Sequence, residues 1–329
     1  MRRLWLIALV PFLVAAAPSA YRLIGEVAIG GDGGWDYLTV DSAARRLYVS
    51  HATHVAVVDL TTQKVVGDIP DTPGVHGIAI ATDVHRAFVS SGRANAVKIV
   101  DLETLALIAV VPAGENPDAI RYDAVSGRVF AFNGRSHNAT VIDARAGTVV
   151  ATIPLAGKPE FAVADGKGMV YVNIEDTSQI AEIDAKRAEV TKVYSLKPCE
   201  EPSGLAIDAK TRRLFSVCDN HVMAISDPDA GTVVATVPIG GGPDGAAFDP
   251  ESGRAFSSNG EGTLTVVSQA DGKWAVEQTL ETRRGARTIT LDEATHRLYL
   301  PTATVATAPA GQRPTYVPNT FTVLMVGVE

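Results

Sequence analysis

The 329-residue chain is 46% hydrophobic and 20% charged, with a formal net charge of −8. This balance suits a globular protein with a sizeable core, and the negative surplus repels phosphate backbones, which disfavours nucleic acid as a partner. Two cysteines, Cys199 and Cys218, neither in a C-x-x-C-H sequence, exclude a disulfide-dense scaffold and a covalent haem carrier.

The chain begins with the basic Met1-Arg-Arg3, an apolar run from Leu4 to Ala17 and the small residues Ala15-Ala-Ala-Pro-Ser-Ala20. Residues 1–20 therefore read as an export signal, with cleavage expected between Ala16 and Ala20. The run is too short for a comfortable bilayer span, so no membrane span is expected after cleavage. The predicted location is periplasmic or secreted. Losing Arg2 and Arg3 would leave the mature chain about two charges more negative.

Residues 21–329 are predicted to form one domain. Seven aromatics, Tyr48, Phe88, Phe130, Tyr171, Phe215, Phe256 and Tyr299, recur at intervals of 40, 42, 41, 44, 41 and 43 residues. Seven positions before most of them stands an aspartate: Asp41, Asp123, Asp208, Asp249 and Asp292. Ala81 replaces it in one repeat, and a shorter loop at Asp165 departs in another. The polar hexapeptide between aspartate and aromatic reads as a hairpin, with the carboxylate bonding its own backbone. About ten residues after the aromatic comes an apolar pair ending in a short polar residue, as in Val58-Asp59, Val100-Asp101, Ile142-Asp143, Ile183-Asp184 and Val267-Ser268. A second apolar run and a Gly/Pro segment close each unit.

Four β-branched runs per unit predict four short strands, called A to D. In the third unit they are Ala119–Asp123, Val129–Asn133, Thr140–Asp143 and Val149–Ile153. Four strands per unit of this length specify a propeller blade, so the fold class is an all-β, seven-bladed β-propeller. The seventh unit has candidates for A (Arg287–Asp292), B (Arg297–Thr302) and C (Phe321–Val326), but no D. Leu23-Ile-Gly-Glu-Val-Ala-Ile29 has the D pattern, so the N-terminal strand is expected to complete the last blade and remove its free edge. In the fifth unit Cys199 precedes strand A and Cys218 ends strand B. Antiparallel pairing brings both to one end of the blade, which predicts a disulfide.

Leu47-Tyr-Val-Ser50, Val170-Tyr-Val-Asn173, the Val/Ile-Asp pairs and the Thr-Val-Val-Ala-Thr-Ile-Pro closers resemble the bacterial YVTN-repeat, YncE-like propellers, which are WD40-like repeat proteins. The resemblance covers nearly the whole chain beyond residue 20. The wider group that such proteins are similar to includes lactonases, streptogramin lyase-like enzymes, dehydrogenase heavy chains and interaction scaffolds, and one relative class binds DNA. No catalytic motif of these enzymes is matched here, and fold alone does not settle function.

Aligning the units places one residue per blade at the start of strand A: Asp36, His76, Asp118, Glu160, Ser203, Asp244 and Arg287. In a propeller these should ring the channel mouth. The B–C connections add a further shell that includes His51, His54 and Asn259, and Trp35 stands beside the mouth as a stacking surface. Asp36, Asp118, Glu160 and Asp244 are oxygen ligands for a hard cation such as Ca²⁺ or Mg²⁺. Arg283, Arg284 and Arg287 form a candidate anion clamp. The long seventh B–C connection, with Arg313 and Tyr316, is a candidate lid.

The leading expectation is a monomeric binding scaffold that recognises a protein partner or a small acidic ligand on this face. The alternative is a metal-assisted, lactonase-like hydrolase or lyase acting on a small acidic substrate at the mouth. Single-stranded DNA binding stands third.

Overall fold

A computed structural model describes residues 20–306 and 315–328; residues 1–19, which carry the export-signal reading, and Arg313 lie outside them. The strands form seven four-stranded antiparallel sheets. Strand A of each blade lies against strand A of the next, and blade 7 touches both blade 6 and blade 1. The chain is a closed seven-bladed β-propeller.

In blade 3 the strands are Pro117–Asp123, Arg128–Asn133, Asn138–Asp143 and Thr148–Pro154, each one or two residues longer than the apolar pattern marks. The turn chemistry explains where they stop. Asp143 Oδ1 accepts the backbone N–H of Arg145 and Ala146, and Asp59, Asp101, Asp184 and Asp227 do the same at equivalent turns. Blade 6 has Ser268 there instead. Its C and D strands run on to Ala270 and from Lys273, and Asp271-Gly272 closes the hairpin with both φ angles positive (50° and 75°). Ala81 cannot accept a turn bond, and a 3₁₀ turn over Thr82–Val84 takes its place.

The repeated aromatics are all buried. Each packs into the blade that follows its own: Tyr48 against Ile78 and Val89, Phe88 against Ile120 and Ala131, Phe130 against Ala162 and Val172. The series closes with Tyr299 of blade 7 against Leu38 and Val49 of blade 1. The period of the sequence is therefore the period of the blade interfaces. Truncating any of these rings to alanine would cost about 3–5 kcal/mol.

Blade 7 is assembled from both ends of the chain. Arg22–Ala28 pairs antiparallel with Thr322–Gly327, and Thr322 Oγ1 donates to Val27 O at 2.9 Å. Tyr21 is buried edge-to-face on Phe256. Asp292 of blade 7 accepts Ser42 Oγ (2.6 Å) and Arg45 Nη1 (2.5 Å) from blade 1. Strand A of this blade is shorter than expected, Thr290–Asp292. Gly285, at φ +86°, begins a turn in which Ala286 N bonds Arg283 O and Arg287 N bonds Gly285 O, so Arg287 is held outside the ladder. Cys199 and Cys218 are joined by a disulfide with Cα atoms 5.5 Å apart.

Candidate ligand and metal site at the channel mouth

In blades 1 to 6 the mouth residue is the second of strand A, after Trp, Val or Pro; in blade 7 it is Arg287, which precedes the strand. Asp36 and His76 come from blades 1 and 2, and His76 Nδ1–H donates to Asp36 Oδ2 at 2.6 Å. The same nitrogen lies 3.5 Å from Asp118 Oδ1 on blade 3. Backbone bonds hold this arc: Ser50 Oγ accepts Asp36 N–H, Thr288 Oγ1 donates to Asp36 O, and Ser90 Oγ donates to Asp118 O. Gly92 makes room for the imidazole, since a Cβ there would sit 2.8 Å from His76 Nε2.

The other side of the ring is tied differently. Lys158 bonds Glu160 at 2.7 Å and also pairs with Glu175. Arg287 Nε lies 3.0 Å from Asp244, and Arg287 Nη2 reaches Trp35 O at 3.5 Å. Ser203 Oγ donates to the backbone of Pro243 at 3.0 Å. Glu160 and Asp244 thus already have cations beside them, whereas Asp36 and Asp118 share only His76.

Electrostatics follow from crowding carboxylates at the edge of a low-dielectric channel. Burial raises the pKa of Asp118, the charge of His76 opposes this, and Asp36 adds to it. Burial and then Asp118 raise Glu160 against the pull of Lys158. Burial raises Asp244 despite Arg287. Burial works against protonation of His76, but the Asp36 hydrogen bond and the charges of Asp118, Asp36 and Glu160 prevail and lift its pKa to about 9. At neutral pH His76 is an imidazolium acting as counter-ion to two carboxylates.

Asp36, His76 and Asp118 each offer one ligand atom, all within 4.8 Å of one another. Asp118 is 9% exposed, and its Oδ1 is buried without a hydrogen-bond partner. Among the described residues its one close cation is His76, whose Nδ1 stands 3.5 Å away, so the oxygen has an ion-pair neighbour but no hydrogen bond. The geometry separates the oxygen ligands expected from sequence: Asp36 and Asp118 converge with a histidine, and Glu160 and Asp244 are engaged elsewhere. Two carboxylates with an imidazole suit a first-row transition ion such as Mn²⁺ or Zn²⁺ better than Ca²⁺ or Mg²⁺.

Several other sequence candidates are packed rather than presented. Trp35 is 7% exposed, stacked on Phe321 at 5.2 Å and tilted against Tyr316 at 4.5 Å. His51 is 1% exposed beneath Gly31 and stacked on Phe321 at 4.3 Å. Asn259 is fully buried, with Nδ2 donating to Thr263 and Thr265 hydroxyls. The arginine clamp is divided: Arg283 pairs with Glu26, Arg287 with Asp244, and exposed Arg284 lines a cavity of about 380 Å³ with Asp244, Arg287 and Tyr316. Tyr316 thus borders this cavity.

Tyr37 was not among the expected site residues. It is buried directly below the ring, and burial followed by the charges of Asp118, Glu160, Asp36 and Asp244 pushes its hydroxyl pKa well above the usual range. Its signal is legible in the alignment: the residue after the mouth position is Gly77, Ala119, Gly204, Gly245 or Thr288 in five blades, and aromatic only at Tyr37 and Phe161.

No family model matches the sequence, and no curated protein matches it. Among solved structures, the chain is similar to Kuenenia stuttgartiensis hydrazine synthase, with a TM-score of 0.74 and 17% identity over 91% of this chain and 97% of that one. It is also similar to U3-55K, with a TM-score of 0.77 and 8% identity over 94% of this chain and 99% of that one. At such identities the likeness is one of fold.

Proposed function

We propose that this chain is an exported, YncE-like binding propeller whose mouth holds a divalent transition ion on Asp36, His76 and Asp118 and, through it, a small acidic ligand. The observation that carries the reading is the convergence of three ligand atoms from Asp36, His76 and Asp118, one of which, the buried Asp118 Oδ1, accepts no hydrogen bond. The crowded carboxylates supply the attraction for a cation, and metal uptake would release the His76 proton. Arg284, exposed at the rim and with no ion pair to another described residue, is the anchor for the ligand's acidic end. The Cys199–Cys218 disulfide accords with an oxidising compartment.

The test is calorimetric titration of EDTA-treated protein with Mn²⁺, Zn²⁺, Ca²⁺ and Mg²⁺ in two buffers of different ionisation enthalpy. One Mn²⁺ or Zn²⁺ per chain, bound with proton release and weakened at least tenfold in His76→Ala, is the expected result. Failure of all four ions to bind would end the reading. The lactonase-like alternative uses the same ion as a Lewis acid. Turnover of a lactone panel by metal-loaded protein, abolished by Asp118→Asn, would favour it over binding alone.

A further inference from the structure

Below the mouth the channel changes character. Tyr37 and Phe161, edge-to-face with centroids 4.9 Å apart, fill its waist. Past them a cavity of about 430 Å³ extends to the A–B hairpins, where Asp123, Ala124 and Glu293 lie. Its walls are strand A residues, among them Leu38, Ile78, Leu205, Phe248 and Leu291. That size suits a small molecule, and the lining mixes these apolar side chains with the polar groups of Thr39, Arg121, Asp123, Thr290 and Glu293.

One cation stands in this wall. Arg121 donates Nε–H to Ala162 O at 3.1 Å, and its guanidinium carbon lies 5.8 Å from the centroid of Phe161. At the equivalent step the other blades carry Thr39, Ala79, Val163, Ala206, Ala247 and Thr290, so the charge is peculiar to blade 3. Among the described residues no carboxylate forms an ion pair with Arg121. Asp123 is turned to its own hairpin, where Oδ2 accepts Ser126 N–H, and Glu293 is exposed at the rim. Burial lowers the pKa of Arg121 with no neighbouring charge to offset it. A half-buried guanidinium without a counter-charge is incompletely compensated for the water it has lost.

We propose that this lower cavity binds a small organic carboxylate, its acid group forked onto the terminal nitrogens of Arg121 and its apolar body against the strand A side chains. The fork matches guanidinium geometry, which a point-like cation would not exploit. The apolar side chains of Leu38, Ile78, Leu205, Phe248 and Leu291 favour an acid with an aryl or branched aliphatic body over an inorganic anion, which would leave them uncovered. The site is independent of the mouth: the Tyr37–Phe161 pair lies between them, and none of its residues is a proposed metal ligand.

Benzoate is the probe. Calorimetry of the full chain, EDTA-treated, should show one saturable benzoate site with Kd below about 1 mM, weakened at least tenfold in Arg121→Met. Thr290→Phe keeps the arginine but fills the cavity, and it should abolish binding as well. Circular dichroism establishes that both variants are folded. His76→Ala should leave benzoate affinity within twofold, which separates this site from the proposed metal. Absence of benzoate binding, equal affinity in Arg121→Met, or phosphate binding as tightly as benzoate would each overturn the proposal.

Discussion

His51 offers a sharp test of how burial at the ring closure governs acid stability. It ends strand B of blade 1, stacks on Phe321 of blade 7, and has both ring nitrogens buried without partners. Burial, with a smaller push from His54, lowers its pKa to about 4. An unfolded histidine titrates near 6.5, so between these values the unfolded chain takes up a proton that the folded chain refuses. The stabilising contribution is complete above pH 6.5 and is lost as pH falls toward 4. The linkage relation gives a loss of about 2 kcal/mol by pH 5 and about 3 kcal/mol by pH 4. At about 2 °C per kcal/mol for a chain of this size, moving from pH 7.5 to 5 should lower Tm by about 4 °C through this residue alone. His51→Phe keeps a ring against Phe321 and removes the titration. The assay is thermal melting of both proteins at pH 7.5 and 5.0. Because each protein is compared with itself, any packing cost of the new ring cancels. The decline on acidification should be about 4 °C smaller in the variant; equal declines would refute the assignment.

Other tests follow from the same interactions. The disulfide closes a sequence separation of 19 residues. By loop entropy, Cys199→Ser with Cys218→Ser should cost about 3 kcal/mol in chemical denaturation; a loss under about 1 kcal/mol would mean that the unfolded chain is already confined there. Arg212 joins Asp165, Asp229 and the hydroxyl of Tyr171. Arg212→Ala should cost about 2 kcal/mol by urea unfolding, chiefly because the Asp165 carboxylate stays buried with one oxygen orphaned. Asp229→Ala should cost under about 1 kcal/mol, since that partner is exposed. Deleting residues 22–28 should expose the Thr322–Gly327 edge and produce aggregation, and a synthetic peptide of that segment should restore solubility. A soluble, cooperatively melting deletion variant would contradict the closure argument.

The blades were legible in the sequence because their causes are local and repeated. A turn aspartate, a buried aromatic and an apolar pair recur in nearly every unit, and each performs one task wherever it occurs. The closing strand was legible for the same reason, since Leu23–Ile29 repeats the outer-strand pattern. The ring of mouth residues could be enumerated by alignment, but its partnerships could not. Nothing in the spacing says that Lys158 will engage Glu160 while His76 is left between Asp36 and Asp118. Those pairings depend on rotamers and on residues outside strand A. His51 and Asn259 illustrate the other limit: both end strand B and look like loop polar groups, yet the ladder carries them beneath neighbouring backbone. Arg121 was readable as an exception among Thr, Ala and Val, but only once the inner face of strand A had been located.

The departures from sevenfold symmetry are organised along the channel axis. At the mouth, Asp36, Asp118, Glu160 and Asp244 concentrate negative charge that His76, Lys158 and Arg287 only partly offset. At the waist two aromatic rings stand where three other blades have glycine. The glycines are required by packing: a Cβ at Gly204 would meet Ala246 N at 2.7 Å. Tyr37 and Phe161 therefore occupy places where the inner strands stand far enough apart to admit a ring. Beyond them lies Arg121 in a cavity of mixed lining. On the two proposals made above, the mouth would take a cation and the lower cavity an acid group, with the Tyr37–Phe161 pair between them. A single polar ligand threading the whole axis would have to pass those two rings, so the two proposed ligands would enter from opposite faces.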